Sequence, residues 1–399
     1  MTIQAILRNR DKPGLGNVVV MINDPDEDYE KNLGYLSQIE ADKAITTRDC
    51  LVEQIDSPFR ALKRLEGTAV NYDELDFLAR RLDSFDAREV TKFEAAVHLL
   101  DLHQIEDLIN LTFCCQEATV IDDFRDLKSV GINHYLTVNG GCAPADEVAR
   151  QDGEQIALKL IAGGQGMVTP YGVIYGNSMR LEPHYTGQNF PPYADRDYLM
   201  EINLSPSPVA PEDSRGAVLF FPMPEKRLER LLERACIYTD AELEVESWCL
   251  DLPDTITRFL DVPREGMHDL QRLCGALCSI GQDQWQKLGA VAVFAKPHSA
   301  NEIQQLALNL DQFDFAPNAR NAEDYGRYMI CESGRFNYDP ELEEAYNFEK
   351  YGQERIDHEE GEFTGQGYVA YHGTLALEEL MQGDPTEQMQ REQQMGGMM

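Results

Sequence analysis

Two stretches of the chain carry the same apolar pattern, Tyr72-Asp-Glu-Leu75-Asp-Phe-Leu78-Ala-Arg-Arg-Leu82 and Met267-His-Asp-Leu270-Gln-Arg-Leu273-Cys-Gly-Ala-Leu277. They lie 195 residues apart, since Leu75 corresponds to Leu270. At the same spacing Gly131 corresponds to Gly326, Gly166 to Gly361, and Gly172 to Gly367. One spacing that holds over roughly a hundred residues indicates an internal duplication. The sequence therefore predicts two homologous units, at about 1–180 and 197–376.

The pattern within each unit predicts an α+β fold. Short apolar runs predict strands at Ile3–Leu7, Val18–Ile22, Tyr198–Leu204 and Ala217–Phe221. Glu225–Arg234 has the spacing of an amphipathic helix, as do Leu75, Leu78 and Leu82. The last third of each unit is punctuated by glycines and contains short apolar stretches, such as Tyr171–Tyr175 and Gly367–Tyr371, which predict a small α+β module.

We predict two homologous, elongated units, each with a small antiparallel β-sheet module, a helical middle module and a small α+β C-terminal module. In the first unit these modules span 1–62, 63–112 and 113–180, and a linker follows at 181–196. In the second unit they span 197–260, 261–315 and 316–376. The Gln- and Met-rich end of the chain, 377–399, is predicted to be a flexible tail.

The charge of the chain is strongly negative. Seventy Asp and Glu residues face 35 Lys and Arg, for a formal net charge of −35, and both halves of the chain are acidic. A chain this acidic lacks the basic surface that phosphate binding needs, which argues against direct nucleic-acid binding. A long acidic surface can instead imitate DNA, because duplex DNA carries roughly one negative charge per 1.7 Å of its axis.

Motifs for conventional chemistry are absent or incomplete. Asp24-Pro-Asp26-Glu-Asp28 resembles the start of a calcium loop, but Tyr29 and Tyr35 replace the required Gly and Glu. The nine cysteines form no Cys-x-x-Cys pair.

The N-terminus lacks the pattern of a signal peptide, and the longest uncharged run, Leu160–Met179, is too polar for a membrane helix. We therefore expect a cytoplasmic protein that is not an enzyme, with no cofactor, no metal and no membrane contact.

The second unit contains a set of spaced glycines and aromatic residues: Asp324-Tyr-Gly-Arg-Tyr328-Met-Ile-Cys-Glu332-Ser-Gly334, Tyr346-Asn-Phe348-Glu-Lys-Tyr351-Gly352, Gly361-Glu-Phe363 and Gly367-Tyr-Val. These motifs resemble those of the ArdA antirestriction family. A strand at 216–221, an acidic strand at Glu242–Ser247 and a helical stretch at 267–309 precede them in the family's order. The first unit is similar to a weaker degree.

This resemblance implies a function. Members of the family are DNA mimics from mobile genetic elements, with an elongated, curved, three-domain shape, and they form homodimers. They occupy the DNA site of type I restriction–modification enzymes, so that incoming DNA escapes cleavage. The expected partners are therefore the DNA-binding subunits of such an enzyme.

The chain departs from the family in two respects. It is about twice the ordinary family length, so we hypothesise that an intramolecular pseudo-dimer replaces the homodimer. The first unit has Leu136-Thr-Val-Asn139 where the second has Cys331-Glu332-Ser333-Gly334, and its segment 155–179 is short of acid. That part of the first unit has therefore lost mimic surface or become an interaction face.

The acidic partner-binding surface is predicted from carboxylates at helix starts and exposed faces. In the first unit these are Asp24, Asp26, Glu27, Asp28, Glu30, Asp73, Glu74, Asp76, Asp83, Asp86, Glu89, Glu106 and Asp107. In the second they are Glu225, Glu229, Glu233, Glu242, Glu244, Glu246, Asp251, Asp254, Asp269, Glu302, Asp311, Asp314, Asp324 and Glu332. The alternative is an acidic chaperone or adaptor that binds basic, nucleic-acid-associated proteins.

Overall fold

The computed structural model describes residues 2–23, 29–194 and 197–383. These residues form a mixed α+β structure whose strands belong to four small sheets. The pairs β1–β2, β1–β3, β3–β4, β5–β7, β6–β7, β8–β10, β11–β13 and β12–β13 are antiparallel. The predicted fold class, α+β with small antiparallel sheets, is therefore confirmed at this coarse level.

The chain divides into two compact units that do not follow its order throughout. The first contains Met1–Arg196 together with Asp213–Ala217 and Glu229–Ile237, and the second contains the remainder. The segments 213–217 and 229–237 were predicted to belong to the second unit, but they pack within the first.

Residues 2–23 and 29–194 contain seven strands in two sheets. The strands are β1 (Ile3–Asn9), β2 (Asn17–Ile22), β3 (Cys50–Asp56), β4 (Ala69–Val70), β5 (Thr119–Ile121), β6 (Met167–Thr169) and β7 (Gly172–Tyr175). The strand orders are β2-β1-β3-β4 and β5-β7-β6. Burial alternates along β1, where Ile3, Ala5 and Leu7 are fully buried, because successive side chains of a strand point to opposite faces.

Seven helices accompany these strands. They are α1 (Tyr29–Ser37), α2 (Tyr72–Asp83), α3 (Ala87–Leu100), α4 (Ile105–Leu111), α5 (Leu127–Val138), α6 (Ala145–Val148) and α7 (Gly153–Ala162). Capping boxes fix where two of them begin: Asn71 with Glu74 starts α2, and Asp86 with Glu89 starts α3. The predicted stripe Leu75, Leu78 and Leu82 is fully buried on α2.

The predicted linker 181–196 is part of the first unit's core. Tyr185 is fully buried, and Leu181, Phe190 and Tyr193 pack against the same apolar cluster. The rings of Phe77 and Phe190 stack with their centroids 4.6 Å apart. This segment therefore adds apolar contacts to the first unit.

Residues 197–383 contain six strands and eight α-helices. The strands are β8 (Met200–Pro206), β9 (Ala217–Phe221), β10 (Leu243–Leu250), β11 (Phe313–Pro317), β12 (Glu360–Thr364) and β13 (Gly367–Tyr371). The helices are α8 (Glu225–Arg234), α9 (Asp254–Thr257), α10 (Met267–Ile280), α11 (Trp285–Ala295), α12 (Ala300–Leu308), α13 (Ala322–Cys331), α14 (Phe348–Ile356) and α15 (Leu377–Gln382). The sheets have the orders β10-β8-β9 and β11-β13-β12.

Residues 377–382 were predicted to be flexible, but they form α15. Leu380 and Met381 are buried at 4% and 8% exposure, because an apolar pair on one face of a short helix finds packing partners. Residues 384–399, the rest of the predicted tail, lie outside the described residues.

Two helix pairs pack at a distance that only glycine permits. A β-carbon on Gly131 of α5 would lie 1.7 Å from the carbonyl oxygen of Gly153 at the start of α7. In the other unit, a β-carbon on Gly326 of α13 would lie 2.0 Å from the carbonyl oxygen of Phe348 at the start of α14. The two contacts occur at corresponding positions, since Gly153 and Phe348 are also 195 residues apart.

Candidate functional site

Three of the predicted surface carboxylates lie inside the protein. Asp73, Glu74 and Asp76 are 6%, 1% and 5% exposed, so they present no charge to a partner. The prediction that they lie on an exposed helix start is wrong, because residues 72–79 of α2 are all buried and its first turn faces arginines from elsewhere in the chain. Sequence spacing cannot reveal such pairing, since the arginines are distant along the chain.

Asp73 is the centre of a buried charge network in the first unit. Its Oδ1 lies 2.9 Å from Nε of Arg230, and its Oδ2 lies 3.1 Å from Nη2 of Arg234. The hydroxyl of Tyr29 donates to Oδ1 at 2.5 Å. Burial alone raises the pKa of Asp73. The charges of Arg230 and Arg234 lower this pKa by more than burial raises it, so it lies below its ordinary value.

Glu74 belongs to the adjoining part of this network. Its Oε1 lies 2.7 Å from Nη2 of Arg48 and accepts from the hydroxyl of Tyr185 at 3.0 Å. Nη2 of Arg48 also donates to Glu106 at 3.0 Å. Asp76 forms an ion pair with Arg80 at 3.0 Å. These carboxylates are held by guanidinium groups, which makes the network a structural element and not a general-base site.

Several predicted residues stabilise local structure. Asp86 accepts from the backbone N–H groups of Arg88 and Glu89, and these bonds hold its pKa below the ordinary value. Glu302 accepts from the N–H of His298, and Asp324 from that of Arg320. Such bonds satisfy backbone donors near a helix start without removing the carboxylate's charge.

Other predicted residues are at least partly neutralised by ion pairs. Asp269 lies close to Arg272, and Glu225 contacts both Arg272 and His268. Asp314 contacts Arg335. Because a nearby cation offsets each of these carboxylates, they add less to the negative potential of the surface than their number suggests.

The largest group of predicted residues is exposed. Exposed positions are Glu30, Asp83, Asp86, Glu225, Glu233, Glu244, Glu246, Asp251, Asp254, Asp311 and Glu332. Half-buried positions are Glu89, Glu106, Asp107, Glu229, Glu242, Asp269, Glu302, Asp314 and Asp324. Asp24, Asp26, Glu27 and Asp28 lie outside the described residues.

Four exposed carboxylates come together along one stretch of the second unit. Glu244 and Glu246 lie on β10, and Asp251 and Asp254 follow within eight residues of Glu246. None of the four has a side-chain hydrogen bond or ion pair with another residue in 2–23, 29–194 or 197–383. We call these four residues the β10 acidic stretch.

A cleft of about 420 Å³ lies in the second unit next to α11 and β11. Lys287, Asp314, Tyr328 and Arg335 are among its lining residues, so it carries both signs of charge. Burial lowers the pKa of Lys287. Within the part of the chain that the structure covers, no group of three or more His, Cys, Asp or Glu side chains is placed to hold a metal ion.

The described helices include none with the length and apolar character needed to cross a membrane. Comparison with known proteins finds no family model and no curated protein that matches this chain.

Proposed function

We propose that this protein inhibits type I restriction–modification enzymes by occupying their DNA-binding groove as an acidic mimic of duplex DNA, and that it does so in the cytoplasm without catalysis. The observation that supports this most is the location of its charge. Asp73, Glu74, Asp76 and Glu94 are the only Asp and Glu side chains that are buried among the described residues. Nearly all the described carboxylates therefore reach the surface of a chain whose net charge is −35.

The mechanism is electrostatic complementarity. At one charge per roughly 1.7 Å of duplex, a net charge of −35 corresponds to about 60 Å of DNA. Lysines and arginines that bind phosphates would instead meet Asp and Glu, with fast, steered association and strong dependence on salt. Each exposed ion pair contributes only about 0–1 kcal/mol, so the binding free energy is a sum over many weak contacts.

We further propose that the two units arose by duplication of one ancestral unit. Recurring local structure supports this. Gly172 and Gly367 both have positive φ, and a β-carbon on either would lie within 2.4 Å of a backbone oxygen. The hydroxyls of Thr169 and Thr364 both donate to the carbonyl three residues later, at 2.9 and 2.8 Å.

A DNA-protection assay with a purified type I restriction enzyme tests the function. We expect the wild-type protein to protect unmodified DNA, with protection that weakens as salt increases. Neutralising the β10 acidic stretch (E244Q/E246Q/D251N/D254N) should reduce protection severalfold, because the local field is lost.

The matched control is D56N/E117Q/D122N/E154Q, which removes the same charge from exposed positions that were not predicted to bind a partner. This control should retain most of the activity. Absence of protection by the wild-type protein, or loss of all activity from one surface substitution that leaves the fold intact, would contradict mimicry. Equal binding to many unrelated basic proteins would favour the chaperone alternative.

A further inference from the structure

An exposed tryptophan lies on an edge strand beside the β10 acidic stretch. Trp248 is 45% exposed, although it lies opposite the fully buried Ile202 of β8. It is one of only two tryptophans in the chain. A large aromatic side chain left open on a largely exposed strand is characteristic of a binding surface, because tryptophan is enriched among the residues that dominate interface energies.

The strand that carries Trp248 is an edge strand of its sheet within the described residues. Among the described residues β10 pairs only with β8, since the sheet has the order β10-β8-β9. A register shift between Val245 and Ser247 places Glu246 at an irregularity of the ladder. Bulges and charges are the usual protection of an edge strand against pairing with another chain. Glu244 and Glu246 therefore restrict which segment can add to this edge.

Both strands of this ladder come from segments without any basic residue. No Lys, Arg or His occurs in 197–214, which contains β8, or in 235–257, which contains β10. Trp248 lies between Glu246 and Asp251 in the sequence, and Glu201 pairs with the adjacent Cys249. Glu246 and Trp248 are about 7 Å apart along the strand. Cross-strand partners share a face of the sheet and successive residues alternate, so Trp248 lies on the face of Ile202, whereas Glu201 and Glu244 lie on the opposite face. An extended segment along this edge would therefore meet an aromatic ring on one face and carboxylates on the other.

We propose that the β10 edge binds an extended, arginine-bearing segment of a partner protein, with Trp248 as its anchor. The segment adds alongside β10, an arginine stacks on the indole of Trp248, and further basic side chains meet Glu244, Glu246 and Asp251. Arginine fits better than lysine because its planar guanidinium group stacks on an aromatic ring and pairs with carboxylates. The proposed function supplies the identity of the partner, a DNA-binding protein with basic segments at its surface.

The test measures binding of a fluorescein-labelled decapeptide of alternating Arg and Thr to the full-length protein by anisotropy. Trp248→Ala should weaken binding about threefold to tenfold, the effect of losing one cation–π contact with a partly desolvated ring. E244Q/E246Q should weaken binding and reduce its dependence on salt. A peptide of alternating Lys and Thr should bind the wild-type protein more weakly than the Arg peptide.

Phe336→Ala is the matched control, because Phe336 is 48% exposed in the same unit but lies far along the chain from β10. Its affinity for the Arg peptide should remain within about twofold of wild type. Equal affinities for W248A, F336A and wild type would overturn the proposal, and so would equal binding of the Arg and Lys peptides. Far-ultraviolet circular dichroism checks that each variant is folded.

The restriction assay separates this proposal from the proposed function. In one outcome the wild-type protein protects DNA, and W248A equals it both in DNA protection and in affinity for the Arg peptide. Trp248 is then not an anchor for arginine, but the proposal of DNA mimicry is retained. In another outcome the wild-type protein does not protect DNA, but W248A binds the Arg peptide more weakly than wild type. The proposal of DNA mimicry is then wrong, and the proposal that the β10 edge binds arginine is retained.

Discussion

The guanidinium of Arg230 lies 2.9 Å from the carboxylate of Asp73, and both side chains are less than 10% exposed. The two residues are 157 positions apart in the sequence. Arg230 also donates to the backbone carbonyls of Asp42 and Ala44, at 2.5 and 2.7 Å. Since burying an unpaired charge is very unfavourable, this pairing fixes the segment 229–237 within the first unit.

Removing the carboxylate of Asp73 should therefore be strongly destabilising. We expect Asp73→Asn to lower the free energy of unfolding by about 3–5 kcal/mol, because Arg230 and Arg234 remain buried without a counter-charge. Urea denaturation followed by circular dichroism measures this change. Asp311→Asn is the control, since Asp311 is exposed and should change stability by less than about 0.5 kcal/mol. Similar stabilities for the two variants would contradict a structural role for the network.

The same network predicts a loss of stability in acid. The folded-state pKa of Asp73 lies below its ordinary value, so the unfolded state binds the proton first as the pH falls. The stabilisation is complete above the unfolded pKa of about 3.9 and is lost as the pH falls through the lower folded pKa. The stability difference between wild type and D73N should therefore be constant at neutral pH and decrease below about pH 4.

Asp49 should have the opposite pH dependence. Burial raises the pKa of Asp49 to about 6, although Arg230 and Arg10 lower it in part. The folded state then binds the proton more tightly, so the stability decreases as the pH rises from about 4 to 6. Asp49→Asn removes the ionisation and should stabilise the protein at pH 7 by about 1 kcal/mol, after allowance for partial exposure and screening. Thermal unfolding at pH 4 and pH 7 tests this, and an equal gain at both values would contradict it.

The glycine contact between α5 and α7 predicts a size limit at position 131. Gly131→Ala would bring a β-carbon to 1.7 Å from the oxygen of Gly153, so the helices must separate. We expect a loss of about 3 kcal/mol or more in the free energy of unfolding. Gly275→Ala in α10 is the control, because nothing lies within 4 Å of its β-carbon position and alanine favours a helix by up to about 1 kcal/mol. A tolerated alanine at 131 would show that the two helices can move apart without cost.

The division of the chain predicts which fragments fold. A fragment of residues 1–196 keeps Asp73 but lacks Arg230 and Arg234, whereas 1–240 contains all three. We expect cooperative thermal unfolding only for 1–240. Equal stability of the two fragments would show that residues 229–237 are dispensable for the first unit.

The proposed pseudo-dimer predicts the mass in solution. If two units in one chain replace a homodimer, light scattering should give 45.2 kDa, the mass of a single chain. Twice that mass, with dimerisation required for inhibition, would contradict the proposal.

Local sequence patterns predicted many elements of the fold. The amphipathic spacing of 225–234 gives α8 with the same bounds, and Ala217–Phe221 forms β9 as predicted. The apolar stretch Gly367–Tyr371 forms β13. The spacing of apolar residues predicts these elements because it determines which face a helix or a strand can bury. The acidic run 242–247 likewise gives an exposed edge strand, β10.

Local patterns failed where distant residues decide the environment. Asp73 and Glu74 were predicted to be exposed because carboxylates favour helix starts, and nothing near them in the sequence indicates the arginines that bury them. Arg230 and Arg234 belong to the predicted amphipathic helix 225–234, and both are buried, which the helix pattern alone does not indicate. The sequence by itself determined the excess of acid and most elements, because these depend on composition and local periodicity. Tertiary structure decided which carboxylates are neutralised and which remain free, because a charge changes its surroundings only when the folded chain brings its partner within a few ångströms.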